Sequence, residues 1–342
     1  MAGLWLFAAI GVAALLGLPR RIAALIALAL WLGIVALHGA APGSRAAAMA
    51  GGDIRVWLLL GGIVALILGY RAVLRRLGAH AITLEAPPPA PDVMSDTEIE
   101  RYARHLVLRD IGGAGQQRLR DARVLIVGAG GLGAPVGLYL AAAGVGRITI
   151  ADGDTVGLSN LQRQVIFRSN QCGQDKARAA AANLGELNSH VRVTPIGPVT
   201  PDDAALVAAH DLVLDGTDSH ASREIVNRLC VQAGVPLIAG SIAQWDGQVT
   251  LYDPARGGPC MACLFPQAPD PALAPPCAEV GVIGPLPGVI GSMMAMEAIK
   301  HLTGAGQGLR GRMLIFDGLY GESRMIGVTP RKDCDICGCV NS

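Results

Sequence analysis

Aromatic residues make up only 4% of the 342-residue chain, and the two signs of charge nearly cancel, with 28 Lys and Arg against 27 Asp and Glu for a net charge of +1. A protein that grips nucleic acid presents a basic face, so this balance gives no support to a nucleic-acid partner. The scarcity of aromatics accompanies abundant Ala and Gly; it is a compositional bias and assigns no chemistry. No internal repeat is visible. The eight cysteines, Cys172, Cys230, Cys260, Cys263, Cys277, Cys334, Cys337 and Cys339, do not make a disulfide scaffold in so long a chain. Charge is missing altogether from three apolar stretches, 2–18, 22–37 and 56–70, which raise the mean hydropathy to +0.43. The start of the chain also lacks the basic segment of a secretory signal.

A membrane span needs about 20 apolar residues, with a range of roughly 17–25. The first two stretches qualify with their flanks, and the third needs Arg55 and Arg71 to snorkel toward headgroups. Arg20 and Arg21 lie between the first two, Arg45 and Arg55 between the second and third, and Arg71, Arg75 and Arg76 after the third. With three transmembrane helices and an outside N-terminus, most of the arginine falls on the inner side, as the positive-inside rule asks. The expectation is a multi-pass membrane region over residues 1–78 in the inner (cell) membrane, with a cytoplasmic catalytic domain. A two-helix hairpin with an interfacial third segment is the alternative. Residues 79–95, containing APPPAPD, read as a Pro-rich linker.

From residue 96 to 342 the pattern changes. Ser95 with Glu98 three residues later forms a capping box that opens a helix over 95–108. Apolar strands are expected at 123–127, 147–151, 191–196, 211–215 and 236–240. They alternate with helices at 132–143, 174–187, 203–209 and 219–233. Later strands at 247–252 and 313–317 are candidates for antiparallel pairing, 264–287 reads as a long loop, and 288–303 as a helix. This alternation predicts an α/β fold, a Rossmann-like, doubly wound, mostly parallel sheet with antiparallel C-terminal strands.

Gly128, Gly130 and Gly133 form G-x-G-x-x-G between a strand and a helix, where bare backbone and a helix N-terminus suit phosphate. Asp152 ends the next strand and suits ribose hydroxyls. Taken alone, these residues indicate a nucleotide. Arg163, Lys176 and Asp218, the last just past a strand end, suit phosphoryl-type chemistry; hydride transfer needs none of them.

In order, RYARHLVLRDIG, VLIVGAGGLG, DGDTVGLSNLQRQ, GQDKA, DLVLDGTDS and GVIGSMMAMEAIK closely resemble the MoeB/ThiF family, bacterial relatives of the ubiquitin-activating enzymes. The resemblance runs over 96–338. It implies that Gly131 and its neighbours approach ATP and that Asp152 holds the ribose. It also implies that the run Ser159, Asn160, Leu161, Gln162 and Arg163 lines the nucleotide together with Lys176, and that Asp218 binds Mg²⁺. Arg104 resembles an arginine that reaches into the partner subunit's site, so a homodimer is implied. The family usually follows the Mg²⁺ aspartate with Asn, where this chain has Ser219. The implied reaction is ATP-dependent adenylation of the C-terminal glycine carboxylate of a small ubiquitin-like sulfur-carrier protein, MoaD-like or ThiS-like. In it, Arg104, Arg163, Lys176 and Mg²⁺ offset the repulsion between two anions.

Cys260-x-x-Cys263 and Cys334-x-x-Cys337 offer four thiolates for a structural Zn²⁺ site, and the family places such pairs at matching points. A redox pair or inert core cysteines are the alternatives. Cys277 stands where ThiF-like members can bond covalently to the carrier and where MoeB-like members do not need it, so its role stays open. The stretch CAEVGVIGPLPGVIGSMMAMEAIK is closer to MoeB. That favours the molybdopterin-synthase carrier and molybdenum cofactor biosynthesis, with the thiamine carrier second. No rhodanese-like extension follows residue 342, so a separate sulfur donor is expected. Two other classes stay open: a dinucleotide-dependent oxidoreductase and a non-catalytic membrane scaffold for a carrier.

Overall fold

The computed structural model describes residues 2–15, 17, 19–51, 53–81, 93–267 and 281–338. They belong to two compact units, Met1–Asp92 and Val93–Ser342. Most of the expected linker, together with Cys277 and Cys339, lies outside the described residues.

In the first unit α1 (Ala2–Leu15), α2 (Arg20–Ala40), α3 (Arg45–Ala50) and α4 (Ile54–Ala81) follow the apolar stretches. Helices α2 and α4 approach closely because Gly61 has no side chain, so the Trp31 ring lies directly on its backbone. Trp31 Nε1 donates to the Trp57 carbonyl at 2.9 Å. Away from these contacts, large apolar side chains such as Leu25, Leu59 and Leu66 are exposed, the last at 74%. Of the three spans expected, two reach the length and apolarity to cross a membrane among the described residues, Ile22–Ala40 and Ile54–Arg71. The helix of the first stretch has 14 residues. That is about 21 Å at 1.5 Å per residue, short of a hydrocarbon core of about 30 Å.

The second unit opens with α5 (Asp96–Leu106), where Ser95 and Glu98 make the expected reciprocal cap. A helix that the sequence did not announce, α6 (Gly112–Asp121), leads into β1 (Arg123–Val127). Then follow α7 (Gly133–Ala143), β2 (Arg147–Ala151), α8 (Lys176–Leu187), β3 (Arg192–Ile196), α9 (Ala204–Ala208) and β4 (Leu212–Asp215). Next come α10 (His220–Ala233), β5 (Leu237–Ala243), β6 (Asp246–Tyr252), α11 (Met261–Leu264), α12 (Pro285–Thr303), β7 (Arg312–Asp317) and β8 (Glu322–Gly327). The eight-stranded sheet runs β3-β2-β1-β4-β5-β6-β7-β8. Strands β1 to β5 pair in parallel, and β6 to β8 are antiparallel.

Strand β1 is apolar after its first residue because both of its faces are buried. Val124 and Ile126 pack with Val136, Leu140 and Leu184 on one side, and Leu125 and Val127 with Val226 and Leu229 on the other. Strand β8 escaped notice because every residue of ESRMIG is exposed, so no apolar alternation marks it.

Helix α5 is fastened by an ion pair. Arg120 Nε lies 3.0 Å from Glu98 Oε1, with side-chain exposures of 6% and 9%. Burial alone would raise the Glu98 pKa. Hydrogen bonds from the Ser95 backbone N–H and hydroxyl, together with the Arg120 charge, hold it below the usual value. A carboxylate depressed in the fold stabilises it above the unfolded pKa of about 4, and that stability is lost as pH falls through the folded value. Arg120→Ala leaves Glu98 buried without its cation and is expected to cost about 3–5 kcal/mol in urea unfolding at neutral pH. The deficit should shrink in acid. A loss under about 1 kcal/mol would mean the pair behaves as a solvated surface bridge.

Candidate active site

Strand β1 lies between β2 and β4, and the chain winds outward in both directions from there. Ligands of doubly wound sheets bind at the carboxyl ends of the strands at such a point. A cleft of about 960 Å³ opens there. Its floor is the glycine loop. Gly128 has φ of +92°, and a Cβ on Gly133 would collide with the Gly128 carbonyl oxygen. A Cβ on Gly131 would meet Pro287, at the start of α12, at 3.1 Å. No side chain caps α7 among the described residues; the Ala134 N–H is already donated to the Gly130 carbonyl at 2.9 Å and residue 135 is proline, so the N–H groups left for an anion are those of the glycine loop up to Gly133. Asp152 braces the loop: Oδ2 accepts from the Ala129 N–H at 2.7 Å and Oδ1 from the Asp154 N–H at 2.8 Å.

Several charged groups line this cleft. The Arg163 side chain passes over Gly131, its guanidinium within 3.4 Å of the Ser159 carbonyl and of Asn160 Oδ1. Lys176 begins α8, is 5% exposed, and donates to Asp154 Oδ2 at 2.8 Å. Asp218 is exposed on the lining, in the turn after β4. Sequence reasoning missed Arg223, whose guanidinium donates to the Thr217 carbonyl and, at 2.7 Å, to the Gly240 carbonyl. It ties the Asp218 turn to β5. Asp215, also missed, is fully buried at the end of β4 and accepts from the Thr217 N–H and hydroxyl. Neither residue stands in a spacing that the sequence would flag. Gln164 Oε1 and His220 Nε2 on the lining, and Asp215 Oδ2 behind it, are buried without a hydrogen-bond partner among the described residues. Buried polar atoms normally have one, which suits a polar ligand.

Among the expected nucleotide residues, Gly128, Gly130, Gly131, Asp152, Asn160, Arg163, Lys176 and Asp218 line the cleft. Others do different work. Gly133 packs beneath the loop. Leu161 is partly buried against the core, and Gln162 lies under Gly284, which has no room for a side chain. Ser219 caps α10, its Oγ accepting from the Ser222 N–H at 3.1 Å. Asn and Ser are nearly interchangeable as N-caps, so Ser219 can replace the family's Asn in that role. Arg104 is exposed on α5 and does not line the cleft.

The two C-x-x-C pairs converge. Cys260, Cys263, Cys334 and Cys337 are all buried, with sulfur atoms within 4.8 Å of one another. Three separations are 3.4, 3.6 and 3.9 Å. Four sulfurs about 2.3 Å from a central Zn²⁺ would stand about 3.8 Å apart, so the set fits a tetrahedral ion. Burial pushes the Cys260 thiol up to about 11. Against the same effect, the N–H groups of Cys337 and Ile336 bring Cys334 down to about 7. A dication would offset the charge of four such thiolates.

Helix α10 links this cluster to the cleft. Arg223 faces the Asp218 turn, Asn227 Oδ1 accepts from the Met261 N–H at 2.9 Å, and Val231 packs among the cysteines. These positions are four residues apart and share one helix face.

Comparison with known proteins matches residues 102–339 to the ThiF family. The chain is 44% identical over 247 residues to the molybdopterin-synthase adenylyltransferase of Escherichia coli, covering 72% of this chain and 98% of that one. It is 43% identical over 247 residues to the sulfur carrier protein adenylyltransferase of Thermus thermophilus, covering 70% and 91%. Against the mouse adenylyltransferase and sulfurtransferase MOCS3 it is 45% identical over 281 residues, but it spans only 61% of that protein's length. In fold it resembles the crystal structure of E. coli MccB with ATP, with a TM-score of 0.60, 24% identity, and coverage of 70% of this chain and 74% of that one. The glycine loop, the charged cleft and these likenesses together make this chain a member of the ThiF family.

Proposed function

We propose that this chain is a membrane-tethered, zinc-stapled adenylyltransferase. It would activate the C-terminal glycine carboxylate of a small ubiquitin-like, MoaD-like sulfur carrier in molybdenum cofactor biosynthesis. The observation that carries this reading is the convergence of an uncapped helix end, Arg163, Lys176 and Asp218 on one cleft. The helix end would serve any nucleotide, but hydride transfer has no use for the three charged side chains. The names of the E. coli and T. thermophilus relatives point the same way.

In the reaction the carrier carboxylate oxygen bonds to the α-phosphorus of ATP. The bond from that phosphorus to the α,β-bridging oxygen breaks, and pyrophosphate leaves. Two anions must meet, so the main task is electrostatic. The N–H groups of the bare glycine loop up to Gly133 would receive phosphate oxygens. Arg163 would sit over the reacting phosphate. Lys176 would exchange part of its bond to Asp154 for the departing pyrophosphate. Asp218, with Arg223 steadying its turn, would hold Mg²⁺, which supplies further neutralisation of phosphate charge when bound. The four cysteines would hold Zn²⁺ in a structural role.

Arg104 would act in trans. It stands outside its own chain's cleft, beside Val107 at 78% exposure and Leu108 at 50%. Apolar exposure of that degree next to a functional arginine favours cover by a second copy.

ATP–pyrophosphate exchange with a panel of purified carriers, molybdopterin-type and thiamine-type included, is the direct test. Exchange should depend on one carrier and drop about 10²–10³-fold in Arg163→Ala and in Asp218→Ala. Absence of exchange with every carrier would overturn the proposal. Mixing Arg104→Ala with Asp218→Ala chains should restore part of the exchange, because one mixed-dimer site then has both residues intact; no recovery would place Arg104 outside the partner's site. Metal analysis should find one zinc per chain, lost in Cys337→Ser along with thermal stability. Zinc retained at full stoichiometry in that variant would reject the four-cysteine site.

A further inference from the structure

At the amino end of the sheet, opposite the cleft, the register aligns three arginines. Arg123 pairs laterally with Arg147, and Arg147 with Arg192, so β1, β2 and β3 each open with an arginine on the same sheet face. Neighbouring strands are about 4.8 Å apart, and like charges directly opposite one another destabilise a sheet. Among the described residues only the first of the three is neutralised: Asp211 accepts from the Arg123 Nη2 at 2.7 Å and from its backbone N–H at 2.8 Å. Arg147 and Arg192 are exposed and form no ion pair among the described residues. Arg118 joins them. It lines a shallow depression of about 470 Å³ with Arg123 and Arg147; Asp121 and Asp211 line it too, so three arginines meet two carboxylates there, and Arg192 on the neighbouring strand adds to the basic excess. The edge is not uniformly basic, since Asp96 and Glu186 sit on the flanking helices α5 and α8, outside the row.

The amino-terminal end of this domain runs along the same edge. Thr97 Oγ1 lies 3.5 Å from His190 Nε2, two residues before Arg192. Arg101 Nη1 donates to the carbonyl of Leu187, the last residue of α8, at 3.0 Å. Helix α5 is therefore fastened to the stretch of chain between α8 and β3, next to Arg192.

We infer that the arginine row at the amino edge of β1, β2 and β3, with Arg118, docks on the anionic phospholipid headgroups of a bilayer; this rests on the reading of the apolar helices as a membrane tether. The row lacks enough internal carboxylates, and lipid phosphates would supply the missing countercharge. An orientation of this kind presents the opposite sheet edge, with the cleft, to the aqueous side where ATP and a soluble carrier are found.

The test uses the full chain in nanodiscs of phosphatidylcholine, with or without phosphatidylglycerol. Phenylglyoxal modification is followed arginine by arginine by mass spectrometry. Anionic lipid should slow modification of Arg118, Arg147 and Arg192 about fivefold. Arg324, on β8 at the other end of the strand order, should be unaffected. High salt should remove the difference. The double variant Arg147→Glu, Arg192→Glu should lose the protection at Arg118. Equal rates at Arg147 in the two lipids, in a chain that has entered the discs, would overturn the docking and leave the tether standing. A chain that stays out of the discs would overturn the tether, and the docking with it.

Discussion

The first turn of α7 presses on the Gly128 carbonyl, just past β1, so tightly that residue 133 cannot carry a side chain. Much of the site depends on that approach. It sets the amino end of α7, which no side chain caps among the described residues, at the point where strand order reverses. Pro287 then closes down on Gly131, which brings α12 over the same loop. Asp152 completes the arrangement by gripping the Ala129 N–H from the neighbouring strand. The phosphate-sized hollow is thus shaped by backbone contact, and the charged side chains are arranged around a floor that is already set.

Electrostatics in the resting cleft are balanced. Lys176 is held by Asp154, whose side chain is 75% exposed, and Arg163 makes long contacts to its own loop, at 3.4 Å to the Ser159 carbonyl and to Asn160 Oδ1. Neither cation waits as a bare charge in a low-dielectric pocket, an arrangement that would carry a large desolvation cost. A buried lysine paired with a largely solvated aspartate has a partner that can be exchanged.

The parts of the fold that were legible in the sequence are those with a strong local signal. Strands β1 and β4 are short apolar runs, the Ser95 cap has its partner three residues on, and the four cysteines announce themselves by spacing. The missing parts carry no such signal. Helix α6, reading GGAGQQRLRD, contains three glycines and little apolar periodicity, and it is held in place by the buried Arg120–Glu98 pair. Strand β8 is exposed throughout and exists because β7 offers it an edge. At the site, Asp152 and Lys176 could be read from motif context, whereas Arg223 could not, since its task is to bridge two backbone carbonyls that only the folded sheet brings together. Ser219 looked like a flaw in the metal corner because a position in a motif was read as a ligand. In the fold it terminates a helix.

Helix α10 spaces its three anchors at four-residue intervals: Arg223 at the nucleotide side, Asn227 at the cysteine hairpin, Val231 in the cysteine cluster. Each residue of an α-helix advances the chain by about 100° of rotation and 1.5 Å of rise. One inserted or deleted residue between Arg223 and Val231 would swing one end of the row away from its partners, however conservative the residue. The separation between sulfur cluster and cleft is thus written as a count of residues in one helix, a fixed ruler between the two.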